Sequence, residues 1–435
     1  MIRTRRDQLG LLSIAVVNRR PVMRVKPFLF FLLALSTLPG LAAEQAAPPE
    51  KLLAQTLAAN RHMLSIEDGA LQGPGADLLL QRAGDAQFVL IGEDHGFIEP
   101  PRLAMALNRA LGSKAFPHLV IETGPSTAQL LAGNSSQAVA ELVRRHPGVF
   151  PYFGWQDDVA MAAQWSADKA TIDPLWGIDQ EFILGTQLSL QRLVELAPDA
   201  RTRTVAQDYL AKARASDARM VTLHDPGQVY LPAMMPADFA ALRTGAIPEA
   251  VALIDGLEES AQIYRLHNSD GYRSNHMRSQ LMKRQFMQHY RAAQARGEST
   301  PRAMFRVGAY HAYRGLSPTD QFDIGNLASE LAASNGRDSV HVLVIAAGGK
   351  INRKQVFLED ESLRSVPYAA AEELAALGAT PLLQAALPAS WVLVDLAPLR
   401  GIRDARNAAG PEFERLVFAY DFVVVIPQAT AALDF

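Results

Sequence analysis

Carboxylates and imidazoles recur where apolar runs end. Gln87–Ile91 (QFVLI) runs into Gly92-Glu93-Asp94-His95-Gly96, and Glu99 comes shortly after. His118–Ile121 (HLVI) ends in Glu122-Thr123-Gly124, and Leu175–Ile178 (LWGI) ends in Asp179-Gln180-Glu181. Ala303–Val307 (AMFRV) runs into Gly308-Ala309-Tyr310-His311-Ala312-Tyr313. An imidazole beside carboxylates is suited to general acid–base work, because its neighbours set its orientation and basicity. Gly96 after His95, and Gly308 and Gly315 on either side of the His311 segment, let the backbone turn sharply and leave those side chains accessible. Glu93, His95, Glu122 and His311 also form a mixed nitrogen and oxygen set that suits several divalent ions. Two of the acids have a plainer use as well. Glu99 precedes Pro100-Pro101, a helix start that a carboxylate favours, and Asp179 is a residue type that caps helices.

The elements that carry these residues alternate. Further strand candidates are His341–Ala346, Trp391–Leu396 and Phe422–Ile426, with helix candidates at 100–112 and 126–145. Most of the strand candidates are continuous apolar runs, as expected when both faces of a sheet are covered. Strand–helix–strand alternation predicts an α/β fold with a mostly parallel central sheet flanked by helices. In such sheets ligand crevices form at the carboxyl ends of the strands, where the polar residues above fall. The stretch from about 185 to 300 lacks strand signals and reads as a helical insertion capping that edge. Within it, Gly271–Gln294 reads as a long basic helix. Arg273, Met277, Gln280 and Arg284 share one face at helical spacing, while Met277, Leu281 and Phe286 help to pack it. Arg273 and Arg284 are therefore expected to reach an anionic group or an oxyanion over the crevice.

Composition narrows the possibilities. The 435 residues are 49 % hydrophobic and 20 % charged, enough to bury a core and too apolar for whole-chain disorder. There is no cysteine, which excludes disulfides, thiolate-bound zinc, iron–sulfur clusters and a thiol nucleophile. The net charge of −3 is uneven. Residues 1–43 hold seven basic residues and one acid, leaving 35 basic against 44 acidic residues in the rest. That acidic body argues against nucleic acid as the main partner. The expected partner is a small-molecule substrate or ligand. From Met23, a basic start (Arg24, Lys26), an apolar run (Pro27–Leu38) and small residues at Leu41-Ala42-Ala43 have the layout of a bacterial secretory signal. The expected plan is an N-terminal extension and signal over 1–43 and a linker with a helical segment over 44–84. One α/β domain over 85–435 completes it, periplasmic or secreted, with no membrane span in the mature chain. No G-x-S-x-G elbow, H-E-x-x-H, Walker loop or complete G-x-G-x-x-G occurs.

At these residues the chain resembles the erythromycin esterase-like and ChaN-like superfamily, which includes the TraB/Tiki proteins. The matching features are IGEDHGFIE, the acid Glu122 after the second strand, Gly177-Ile178-Asp179 after the third, the Arg273/Met277 pair, and VGAYHAYRG around His311. They occur in the same order over roughly residues 85–330. Two positions depart from the esterase pattern: Gly308 stands where a histidine is usual, and Gln280 where an asparagine is usual. The resemblance implies an α/β core with a helical cap and the site between them. In the esterase branch a histidine activates water without metal. Carried over, His95 is the general base, Glu93 and Glu122 orient or tune it, Arg273 stabilises charge electrophilically, and His311 is a second acid or base. Glu99, Asp179, Arg284 and Tyr310 are candidate substrate contacts. Other branches bind haem or use a divalent metal ion, so a haem protein with Tyr310, His311 or Tyr313 as axial residue is the rival reading. A metal-dependent hydrolase using Glu93, His95, Glu122 and His311 is the third.

Overall fold

The computed structural model describes residues 47–435 apart from 113, 147–148, 151, 168–170, 224 and 354–363. The expected export signal lies outside the described residues. Among the described residues no helix is long and apolar enough to cross a membrane.

The strands are β1 (Arg61–Glu67), β2 (Ala70–Gln72), β3 (Phe88–Glu93), β4 (His118–Ile121), β5 (Leu175–Gly177), β6 (Ala303–Gly308) and β7 (Ser339–Ala346). They continue with β8 (Lys350–Asn352), β9 (Ser365–Pro367), β10 (Trp391–Asp395) and β11 (Phe422–Ile426). Nine form one sheet in the order β2-β1-β10-β11-β7-β3-β6-β4-β5, and β8 pairs with β9 as a separate ribbon. From β11 to β5 every pairing is parallel, whereas β10, β1 and β2 extend the β11 side through antiparallel pairings. The expected α/β sheet is thus present. All seven anticipated strands form, because runs such as Phe88–Ile91 and Val423–Ile426 are buried along their whole length.

Helices α1 (Pro49–Ala59), α2 (Pro74–Asp85), α3 (Glu99–Leu111), α4 (Pro125–Gly133), α5 (Ser136–Arg145) and α6 (Gln156–Trp165) belong to the first half. The single helix expected over 126–145 breaks at Asn134-Ser135, where Ser135 Oγ accepts the Ala138 amide at 3.2 Å and caps α5. Residues 61–72, expected within a linker and helical segment, instead supply β1 and β2. Only Leu64 of β1 is buried, so its alternation is too muted to read as a strand.

Between β5 and β6 come α7 (Thr186–Leu196), α8 (Ala200–Leu223), α9 (Pro236–Arg243), α10 (Pro248–His267) and α11 (Gly271–Ala295). The first four enclose their own apolar core, including Leu190, Leu210, Phe239, Ile254 and Leu257. This helical group is tied to the sheet's carboxyl edge by two bonds from α10. Ser260 Oγ accepts the Glu181 amide at 2.9 Å, and the Tyr264 hydroxyl accepts the Ile183 amide at 3.2 Å. Helix α11 lies on the sheet itself, with the Phe286 ring 5.7 Å from Phe88 and 5.3 Å from Phe305. After β6, α12 (Ile324–Ser334) completes the elements around the crevice.

Candidate active site

Strand order decides which polar ends meet. β6 lies between β3 and β4, so the turn after β6 sits between Glu93-Asp94-His95 on one side and Glu122 on the other. Glu93 is the last residue of β3 and is wholly buried at its side chain. His95 comes next on a turn held by Gly96, whose φ of 107° suits glycine. The Gly96 carbonyl accepts the amides of Asn352 (3.0 Å) and Ala432 (2.8 Å), which fixes that turn against the later chain.

Glu122 is the centre of the cluster. Its Oε2 lies 3.3 Å from His95 Nε2, and its Oε1 lies 3.4 Å from His311 Nε2. Each imidazole is held from behind by another acid. His95 Nδ1 is 2.8 Å from Glu93 Oε1, and His311 Nδ1 is 2.7 Å from Oδ2 of Asp323, the N-cap residue of α12. The result is a continuous chain of carboxylate, imidazole, carboxylate, imidazole, carboxylate. The Gly308 amide donates to Glu122 Oε2 at 2.6 Å. A Cβ at position 308 would stand 3.2 Å from that oxygen and 3.4 Å from His95 Nε2, so the departure from histidine here keeps the two groups within reach.

Two arginines flank the chain. Arg278 of α11 donates through Nη2 to Glu122 Oε1 (2.6 Å) and through Nε and Nη2 to Asp179 (2.9 and 2.6 Å). Arg306 of β6 is fully buried, with Nη2 2.6 Å from Glu93 Oε1 and Nη1 paired to Asp158 of α6. Over His95, the half-exposed Tyr152 ring stacks at 4.3 Å and nearly parallel.

This charge arrangement sets the protonation states. Burial alone would push His95 down, but Glu122 and then Glu93 outweigh it and raise it to about 9. Burial likewise opposes protonation of His311, and Asp323 and Glu122 carry it up to about 10. For Glu122 burial is outweighed by His311, His95 and Arg278, which hold it well below the usual carboxylate range. At neutral pH the resting cluster is therefore an ionised Glu122 between two imidazolium rings. Groups raised from about 6.5 on folding contribute stability that is complete below that value and is lost as pH climbs through about 9 and 10. The melting temperature is expected to fall between pH 7.5 and 10.5. Scanning calorimetry across that range checks this, and a flat profile would contradict it.

The candidate residues separate into those at the cluster and those away from it. Glu93, His95, Glu122 and His311 are together, and Asp179 joins them through Arg278. Arg273 does not face His95. It is exposed in the first turn of α11, where its amide bonds the Asp270 side chain at 3.0 Å. The guanidinium at the site belongs to Arg278, about 140° further round the helix. Arg284 is also on the outside and pairs with Glu259 of α10. Glu99 is buried, but its Oε1 accepts the Thr430 amide at 2.8 Å rather than touching either histidine. Tyr310 is half-buried against the core. Sequence reasoning missed Arg278, Asp323, Arg306 and Tyr152. Arg278 was within reach of it: Met282, Phe286 and Tyr290 form the buried stripe of α11, and stepping back four residues from Met282 gives Arg278.

For the cofactor readings, Tyr313 is only 3 % exposed, and both ring nitrogens of His311 already face carboxylates. Tyr310 is left as the more open of the three axial candidates. Among the described residues no group of three or more His, Asp or Glu side chains is spaced to hold a metal ion.

No protein-family model and no curated protein matches the sequence. Solved structures do match the fold. A Bacillus cereus protein shares 15 % identity at a TM-score of 0.52, covering 89 % of this chain and 99 % of its own. A variant of the erythromycin esterase EreC in its open conformation shares 15 % identity at a TM-score of 0.51, covering 82 % of this chain and 94 % of its own. The chain has an erythromycin esterase-like fold.

Proposed function

We propose that the protein is a hydrolase that cleaves an ester or related bond by general-base activation of water. The observation that carries this reading is the chain Glu93–His95–Glu122–His311–Asp323 at the carboxyl edge of the sheet, on a fold shared with an erythromycin esterase. In this reading His95 is the base. Glu93 fixes its Nδ1, leaving Nε2 beside Glu122 to take a proton from water. His311, fixed by Asp323 and carrying the higher pKa, keeps its proton to a higher pH and delivers it to the leaving group. Arg278 takes the place proposed for Arg273. It holds Glu122 and Asp179 at fixed separation and adds positive charge where an oxyanion develops. Tyr152, stacked over His95, shields the reacting atoms from bulk water.

The test is turnover on a panel of esters and lactones, with and without EDTA, alongside a haem titration. A water-activating histidine predicts turnover that EDTA leaves intact. Activity lost in EDTA and restored by a divalent ion would transfer the reading to a metal hydrolase. No turnover together with a saturable absorption band on adding haem would replace it with a haem-binding protein.

A further inference from the structure

Glu93 is one carboxylate shared by two cations. Its Oε1 lies 2.8 Å from His95 Nδ1 and 2.6 Å from Arg306 Nη2. Two consecutive aromatic residues meet the same two cations. The Phe153 ring centre is 4.7 Å from the Arg306 guanidinium carbon. The Tyr152 ring lies over His95, with ring centres 4.3 Å apart and planes inclined by only 9°. Phe153 and Trp155 are both wholly buried and anchor this stretch of chain, and the Trp155 ring centre is 6.0 Å from that of Tyr152.

Both ring nitrogens of His95 are taken up by carboxylates, Nδ1 by Glu93 and Nε2 by Glu122. What remains for a further interaction is the two faces of the ring, and one of them carries Tyr152. An aromatic face bears negative potential and attracts a cation lying against it more than a neutral ring. The stacking therefore favours the imidazolium over the imidazole. The other charged groups around His95 come from several elements. Glu93 ends β3, Asp94 follows it and accepts the Tyr368 hydroxyl, and Glu122 follows β4. Arg306 of β6 stands behind Glu93, while Arg278 of α11 and His311 stand behind Glu122. A change confined to the ring at position 152 leaves all of these groups in the chain.

We propose that Tyr152 is a positioning residue for His95, its ring face holding the imidazole in the protonated state between Glu93 and Glu122. Keeping bulk water off the site needs only an apolar cover, which leucine supplies as well as tyrosine. Parallel stacking on the imidazole adds an attraction for its charge that leucine lacks. Loss of the face therefore lets His95 give up its proton at lower pH. The effect on rate rests on the reading of His95 as the base, whereas the effect on its protonation does not.

The test is an NMR titration of the histidine rings in the full chain, without substrate, from neutral to alkaline pH. The His95 signal is the one missing from His95→Ala. In Tyr152→Leu its midpoint should fall by about 0.4–1.5 pH units, the worth of a cation on an aromatic face. Tyr152→Met, a second cover without a π face, should repeat that result. Tyr152→Phe keeps the face and loses only the hydroxyl, so it should titrate as the wild type does. Circular dichroism at each pH shows that the variants stay folded. A midpoint unmoved in both Tyr152→Leu and Tyr152→Met would overturn the proposal. A midpoint that falls equally in Tyr152→Phe would also overturn it, because the hydroxyl and not the face would then be acting. With p-nitrophenyl acetate as substrate, the rising limb of kcat/KM should move with the NMR midpoint. A midpoint that moves while the limb stays in place would leave this role of Tyr152 standing and remove His95 from the hydrolase reading, so the two fail separately.

Discussion

Replacing His95 by alanine is expected to lower turnover by about a hundred- to ten-thousand-fold, the usual contribution of a positioned acid or base. The pH profile distinguishes this role from a structural one. Because Glu122 and Glu93 raise His95 to about 9, the free base is a small fraction at neutral pH. In the wild type, kcat/KM should therefore rise by about tenfold per pH step below 9 and level off above it, before His311 gives up its proton near 10. In His95→Ala that rising limb should vanish, leaving a low rate with little pH dependence. The imidazole sits beneath Tyr152 and beside two acids, so its removal also costs stability. Measuring the melting temperature of the variant alongside its rate keeps the two effects apart. A folded His95→Ala protein with wild-type kcat/KM, or a wild-type rate that falls from pH 7 to 9, would remove His95 from the mechanism.

The parts of this site that are legible in the sequence share one physical origin. A strand buried on both faces is a short unbroken apolar run, and its end is marked by the first polar residue. Glu93, Glu122, Asp179 and the Gly308–His311 turn can all be placed that way, and the sheet's parallel direction puts them on one edge. Helical position is harder. Arg273 looks well placed because it lies four residues before Met277, but Met277 is only partly buried and does not lie on the stripe that packs against Phe88 and Phe305. A phase error of five residues moves the guanidinium from Arg278 to a solvent-facing neighbour. Asp323 is hidden for a different reason. It belongs to a turn before α12 that ends no apolar strand, and only the folded chain shows that its carboxylate both caps the helix and holds His311. Arg306 stands inside the apolar run AMFRV rather than at its end, so the same rule passes over it. It is the one charged side chain of β6, and the strand places it between two buried acids.

That residue carries the largest expected effect on stability. Arg306 is 0 % exposed, and its partners Glu93 and Asp158 are as deeply buried. Its two terminal nitrogens reach in different directions, Nη2 to Glu93 and Nη1 to Asp158, while its guanidinium carbon lies 4.7 Å from the Phe153 ring centre. A leucine at 306 would take the buried guanidinium away from both carboxylates and leave Glu93 with the His95 ring as its counter-charge, a loss of about 3–5 kcal/mol for a broken buried pair. Chemical denaturation of Arg306→Leu should show it as a lower midpoint with little change in slope. Lysine keeps the charge but offers one compact ammonium in place of a planar fork, so Arg306→Lys can serve only one acid well. It should fold with an intermediate loss of stability and with Glu93 less fully neutralised. A less neutralised Glu93 pulls more strongly on the His95 proton, so the rising limb of kcat/KM should move to higher pH in Arg306→Lys. A purely structural arginine would lower stability and leave the limb in place. The position of that limb, measured on the folded lysine variant, therefore decides whether Arg306 acts through Glu93 on the base or merely fills the space beneath it.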